Sequence, residues 1–253
     1  MYEFIDINQH QPSASLPSVA MSFNGIIIED AILGYQTLTV SGREMIGVQL
    51  DTQSIRNGSL TLDRRLPSRE IVVQYRLEAE DNYQFQKKFQ LLRSLLHTTD
   101  KVEVFFVDEP DVFYQMELSG VDSVSNSSNT IVSSFTLHSD TPFKFGKPVV
   151  TNGDVTINTP YPTPAHEIRL LLSASTQLVT ITNGTQEIRL DGNFAVGEEL
   201  VINTQQGTVM IGANDVTYTV ALNSDFENFV IEQGQTVTSP QGTIELRMRE
   251  WWL

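Results

Sequence analysis

One amphipathic helix in an otherwise β-patterned chain constrains the fold most. Phe85, Phe89, Leu92 and Leu96 recur at i, i+4, i+7 and i+11 and so share one helix face. Asp81 stands at the N-cap position, and Gln84, three residues on, makes a loose capping box. The spacing predicts a helix over about 82–97. KVEVFF follows, then the turn residues Asp108, Glu109, Pro110 and Asp111, then VFYQMELSGV, which together read as a hairpin. A lone helix must lay its apolar face on a sheet, so this stretch predicts a helix-on-sheet unit. It contains no nucleophile–base pair, and the chain reads as an assembly part.

The flanking sequence supplies the sheet. Residues 21–78 alternate β-prone runs with turn residues, and Asn24-Gly25 is a strong hairpin signal. NGSLTLDRRLPSREIVVQYRLEAE is expected to pair two strands around Asp63–Pro67. The first twenty residues are polar, are punctuated by Pro12 and Pro17, and read as an extended arm. Residues 141–164 hold five of the ten prolines and are expected to link two domains. Beyond Ala165 short β runs recur at the spacing of a sandwich or barrel. Asn183-Gly184 is expected to form a two-residue hairpin turn, and Thr204–Gly207 another turn. The expected organisation is mainly β: residues 1–140 a β-barrel or sandwich with one α-helix, 141–164 a linker, 165–253 a β-sandwich.

Composition removes several functions. The net charge is −15 over 253 residues, and it is spread along the chain. No basic stripe exists to track a phosphate backbone, and an acidic surface disfavours anionic membranes. There is no cysteine, which excludes disulfides, thiolate metal sites and cysteine nucleophiles. MYEFIDINQH has neither a basic n-region nor an apolar h-region, so no signal peptide is expected. The Asn-x-Ser/Thr sequons at Asn57, Asn126 and Asn183 read as chance matches in turns.

The chemistry-bearing residues form no site. His10, His97, His138 and His166 are scattered, with no His-x-His pair and no HExxH. Asp108, Glu109 and Asp111 are close enough to suggest calcium, but their spacing does not match an EF-hand, and a solvated turn is the better reading. Glu198 and Glu199 are neighbours in a strand and point to opposite faces. GxSxG, GxGxxG and P-loop patterns are absent. No catalytic, cofactor-binding or metal residue is assigned, and no cofactor is expected. Trp251-Trp252 should place one indole in the core. The other is free to serve a subunit contact or to stack on a sugar.

The ordered set of signals resembles the distal tail (Dit) proteins of long-tailed siphophages that infect Gram-positive bacteria, with a lactococcal-type phage as the expected source. SFNG (Ser22–Gly25), VSGRE (Val40–Glu44) and LPSREIVVQYRLEAED (Leu66–Asp81) carry it first. FQKKFQLLRSLL, VFFVDEPDVFYQMELSGV and the Thr141-Pro142-Phe143 step continue it. ELVINTQQGTVMIG and ELRMREWWL complete it in the second half. The resemblance implies a homo-hexameric ring made by the first domain and a galectin-like or jelly-roll sandwich at the periphery. The implied partners are the tail tube (major tail) protein, the tail-associated lysin or fibre, and receptor-binding components. The implied location is the virion tail tip or baseplate, after synthesis in the host cytoplasm. Family knowledge carries over no catalytic residue, and a non-enzymatic hub is expected. Two other readings stay open: a carbohydrate-binding module that recognises cell-wall saccharide through aromatics, and a glycan hydrolase with carboxylates on separate strands.

Overall fold

The computed structural model describes residues 16–124, 128–152 and 160–253. The arm expected over residues 1–20 lies outside them up to residue 15. The chain divides into two compact units. One runs to Pro110 and resumes over Tyr114–Pro142; the other takes Asp111–Phe113 and Phe143–Leu253.

The first unit contains β1 (Met21–Phe23), β2 (Ile26–Ile27), α1 (Ile28–Ala31), β3 (Tyr35–Ser41), β4 (Gln49–Ile55), β5 (Gly58–Arg65), β6 (Arg69–Glu78), α2 (Asn82–Leu96), β7 (Val102–Phe106), β8 (Tyr114–Val121) and β9 (Thr130–Ser139). Seven strands form one antiparallel path in the order β2-β1-β7-β8-β9-β6-β3. β8 turns the corner of this path: Tyr114–Met116 pair with β7, and Glu117–Val121 pair with β9 across a bulge at Leu118/Gly120. β6 shows the period-2 signature of a half-buried strand, with Ile71, Val73, Tyr75 and Leu77 inward. Tyr75 packs between Tyr35, at 5.5 Å, and Phe135, at 5.7 Å.

The helix is as expected, Asn82–Leu96, and the Asp81 side chain accepts the Gln84 N–H at 2.7 Å. Phe85, Leu92 and Leu96 are buried. Phe89, expected in the same contact, is only half-buried and stacks on Phe85 at 6.1 Å. Asn24 and Gly25 turn β1 into β2 with φ of 53° and 77°, a tight turn that needs both left-handed residues. A second, four-residue helix, α1, is too short to show a sequence period. Its Glu29 carboxylate accepts the N–H of Met21 in β1 at 3.4 Å and of Thr37 in β3 at 3.0 Å. One side chain thereby links β1, next to one end of the seven-stranded path, with β3 at the other end.

The pairing expected around Asp63–Pro67 does not form. β5 pairs with β4, while β6 pairs with β3 and β9. The core decides this: β6 buries Ile71, Val73, Tyr75 and Leu77, whereas every residue of β5 is exposed.

The second unit contains β10 (Lys144–Thr151), β11 (Thr163–Leu172), β12 (Thr176–Thr182), β13 (Glu187–Phe194), β14 (Glu199–Asn203), β15 (Thr208–Ile211), β16 (Asn214–Asp215), β17 (Val230–Ile231) and β18 (Gly242–Trp252). The main sheet runs β10-β18-β11-β14-β15-β16, and β12 pairs with β13 separately. Ile168, Leu170, Val179, Ile181, Ile188 and Leu190 meet in its core with Leu200, Ile202 and Leu246. β10 lies inside the segment read as a linker, and β11 begins there. Pro148 sits where β10 shifts register against β18 on an edge strand, a place that tolerates a residue without an N–H. The Asn183 turn also differs from expectation. It spans Asn183–Gln186, and the buried Asn183 side chain accepts the N–H groups of Thr185 and Gln186 and donates to the Val230 carbonyl at 2.7 Å.

Candidate functional site

The hairpin β4–β5 stands apart from both cores. Every residue of its two strands is exposed, and neither strand pairs with any other. It begins from Gly42, whose φ of 93° and close approach to the Glu70 carbonyl leave no room for a side chain. Opposed residues share a face, so Gln49, Arg65, Asp51 and Asp63 line one side near the base, and Leu50 and Arg64 line the other. Ile55, Leu60 and Leu62 lie further out, about half exposed, and Met45 and Val48 are exposed in the approach to β4. Leu60 opposes Gln53 and Gly58 opposes Ile55, so Ile55 and Leu60 fall on one face of the outer half, and among the described residues no strand pairs with the hairpin. A two-stranded hairpin alone is marginal in water, and each outer edge presents unpaired N–H and C=O groups.

The base of this hairpin is built rigidly. Arg69, 1% exposed, donates from Nη1 to the carbonyls of Gly42 (2.9 Å) and Glu44 (3.2 Å), and from Nε to that of Pro142 (2.9 Å). Burial pulls its guanidinium below the usual arginine value, against the opposing pull of Tyr114, Glu109 and Glu44. Arg43 forks onto Asp108 and lies 4.7 Å above the Phe106 ring. Asp108, which side-chain hydrogen bonding couples to it, raises its pKa against the cost of desolvation.

The acidic residues of the turn after β7 have other partners. Asp108 is taken by Arg43, Glu109 accepts from Tyr114 Oη at 3.1 Å, and Asp111 pairs with Lys147. Among the described residues no group of three or more His, Asp or Glu side chains is arranged to hold a metal. His10 lies outside the described residues; of the others, His138 contacts Asp140 at 3.2 Å, and His166 lies half-buried in β11 with Nε2 unpartnered. Glu198 accepts the Ala195 N–H at 2.8 Å, and Glu199 lies 3.8 Å from Arg169, so the pair serves two separate contacts. Trp251 packs against Phe143 at 4.7 Å and Phe145 at 5.9 Å, and Phe143 also meets Tyr161 at 5.6 Å. Trp251 is thus the indole packed among aromatic neighbours, and Trp252 is the more exposed of the two. No described helix is long and apolar enough to cross a membrane.

The hairpin is the feature that sequence reading missed. Its signal was present: QLDTQSI and GSLTLDRR are strand-like, yet neither alternates apolar with polar residues over its length.

Residues 36–138 match the family described as phage tail protein RIFT-related domain, and residues 158–252 match the siphovirus-type tail component, C-terminal domain. The fold is similar to that of SPP1 Dit, described as a paradigm of the hub adsorption apparatus in Gram-positive-infecting phages. The TM-score is 0.78 at 17% identity, over 92% of this chain and 99% of that one. Chains of the phage p2 baseplate in its activated conformation, with Sr and with Ca, share the fold at TM-scores of 0.54 and 0.52. Their identities are 10% and 11%, over 86% of this chain and 90% of theirs. No curated protein matches the chain in sequence. Two tail-protein domains in this order, on a fold shared end to end with SPP1 Dit, place the chain in the siphophage distal tail protein family.

Proposed function

We propose that this protein is the hub of a siphophage tail tip, a ring of six copies that joins the tail tube to the tail-associated lysin or fibre and to receptor-binding components. Residues 1–140 make the ring, and residues 165–253 form its peripheral domain. The host is Gram-positive, of lactococcal type in the narrowest form of the reading. The role is structural, and the chain performs no catalysis.

The β4–β5 hairpin carries this reading. An element with no buried residue and two unpaired edges is stabilised by strands from neighbours. A neighbour that receives the hairpin on a different patch makes a heterologous contact, which closes into a ring. The acidic net charge opposes association, so backbone pairing and the exposed Leu50, Ile55, Leu60 and Leu62 must supply the attraction.

Replacement of residues 49–65 by a short Gly-Ser linker tests it. The melting temperature of the isolated chain should stay within a few degrees, because no core contact is lost. Electron microscopy of the wild type, alone and with its tail-tip neighbours, should show six-fold rings that the deletion abolishes. A wild type that stays monomeric in both conditions overturns the hub. Rings that survive the deletion overturn the hairpin's part in it.

A further inference from the structure

Tyr218 and Leu222 are the most exposed apolar side chains of the second unit: Tyr218 is 85% exposed and Leu222 fully so. They project from a connection held in place on both sides. Val209 donates its N–H to Thr217 Oγ1 at 2.9 Å, and Val216 donates to the Val209 carbonyl at 2.8 Å. Further along, Ala221 donates to the Arg189 carbonyl at 2.9 Å and Asp225 to that of Glu187 at 2.8 Å. Glu187 N–H returns a bond to Asp225 Oδ2 at 2.9 Å, and Arg189 N–H donates to Ser224 Oγ at 3.1 Å. Phe226 and Phe229 anchor the far end in the core. Two apolar side chains held out in water on a backbone pinned at both ends can dock without the cost of ordering a loop.

The chain around them is acidic, with one cation, Arg189, in the strand beside it. Residues 190–246 contain no lysine, arginine or histidine and eight acidic residues, among them Asp215, Asp225 and Glu227 near the two apolar side chains. Arg189, the nearest preceding cation, lies 3.3 Å from Asp191. A second copy would bring the same acidic face, and a nucleic acid or anionic lipid would be repelled.

We propose that the connection carrying Tyr218 and Leu222 is a docking knob for a protein partner whose apolar pocket is rimmed by lysine or arginine. This rests on the hub reading, which puts the second unit at the periphery of an assembly with other tail proteins. The aromatic and the aliphatic side chain fill the pocket, and the surrounding carboxylates select a cationic rim and speed encounter.

The test replaces Leu222 in the full chain by photoreactive benzoylphenylalanine, in phage that lack their own copy, followed by irradiation of purified tails. The expected result is one cross-linked product between this chain and a different tail protein, at a peptide where lysine or arginine flanks apolar residues. Its yield should fall roughly tenfold in a Tyr218→Ala background, as for loss of an interface anchor. It should fall several-fold when Asp215→Asn and Glu227→Gln are combined, since both positions are exposed and an asparagine amide oxygen can still accept the Thr217 N–H that Asp215 holds. A product joining two copies of this chain, a product at an acidic peptide, or tails that contain the chain but give no product overturns the knob while the hub stands. A chain that never enters tails overturns both.

Discussion

Arg43 grips Asp108 through two parallel hydrogen bonds, Nη1 to Oδ1 at 2.7 Å and Nη2 to Oδ2 at 2.9 Å. The pair ties the approach to β4 to the turn after β7 across 65 residues of sequence. Both side chains are partly screened by water, so the coupling is modest, about 1 kcal/mol in a double-mutant cycle with Arg43→Ala and Asp108→Asn. Arg43→Lys should cost nearly as much as Arg43→Ala, because lysine cannot fork onto a carboxylate or stack on Phe106 as guanidinium does. Urea titration of the four proteins checks both statements.

Gly42 should resist replacement far more than Gly25. Both have positive φ, 93° and 77°, but a Cβ at Gly42 runs into the Glu70 carbonyl and at Gly25 meets nothing. Gly25→Ala should cost about 1 kcal/mol, the usual left-handed penalty. Gly42→Ala should cost at least about 3 kcal/mol, because backbone must move and Arg69 loses its acceptor geometry. Thermal melts that rank the two variants the other way would show that the Gly42 turn relaxes freely.

Phe85→Ala should cost about 3–5 kcal/mol, the range for a buried phenylalanine, and Phe89→Ala roughly half of that. Phe85 is buried, whereas Phe89 keeps one side in water. Equal losses in denaturant titration would mean that Phe89 is covered in solution.

His166 should make the second unit acid-sensitive. Burial, with a smaller contribution from the Arg249 charge, pushes its pKa below 6.5. The unfolded chain then binds a proton at a higher pH than the folded one does. Stability is therefore full above about pH 7 and falls as the pH drops from 6.5 toward the depressed folded value. His166→Gln should flatten that part of the curve. An identical slope in wild type and variant, in melts between pH 7.5 and 5.5, would remove His166 as the cause.

Local signals were legible in the sequence, and distant pairings were not. The α2 face and its Asp81 cap depend on residues within a few positions of one another, as does the Asn24-Gly25 turn, so spacing alone reveals them. The partners of β6 are set by burial of Ile71, Val73 and Tyr75 against strands far along the chain, and nothing near Asp63–Pro67 encodes that choice. The prolines of 141–164 signalled a break because sequence does not distinguish a linker from a bulged edge strand. Asn183 failed differently: its side chain accepts from Thr185 and Gln186 and widens the turn to four residues, with Gly184 at a φ of 95°. The candidate surfaces were hidden for the same reason as the pairings. An exposed apolar residue such as Leu222 or Leu60 is recognisable only once the core has claimed its own.

β18 lies between β10 and β11, both of which are synthesised well before it. Ala165 must wait for Met248, and Lys144 for Trp252. During translation these two strands therefore exist without the one that separates them, each with an open edge. β11, β14, β15 and β16 can pair as they emerge, but β10 joins the main sheet only when β18 arrives. A ribosomal stall before Gly242 would leave β10 without its strand partner, one edge of β11 open, and the core short of Ile244, Leu246 and Met248, a product vulnerable to aggregation and to chaperone capture. Loss of the last strand thus removes the bridge to β10 together with its own apolar residues.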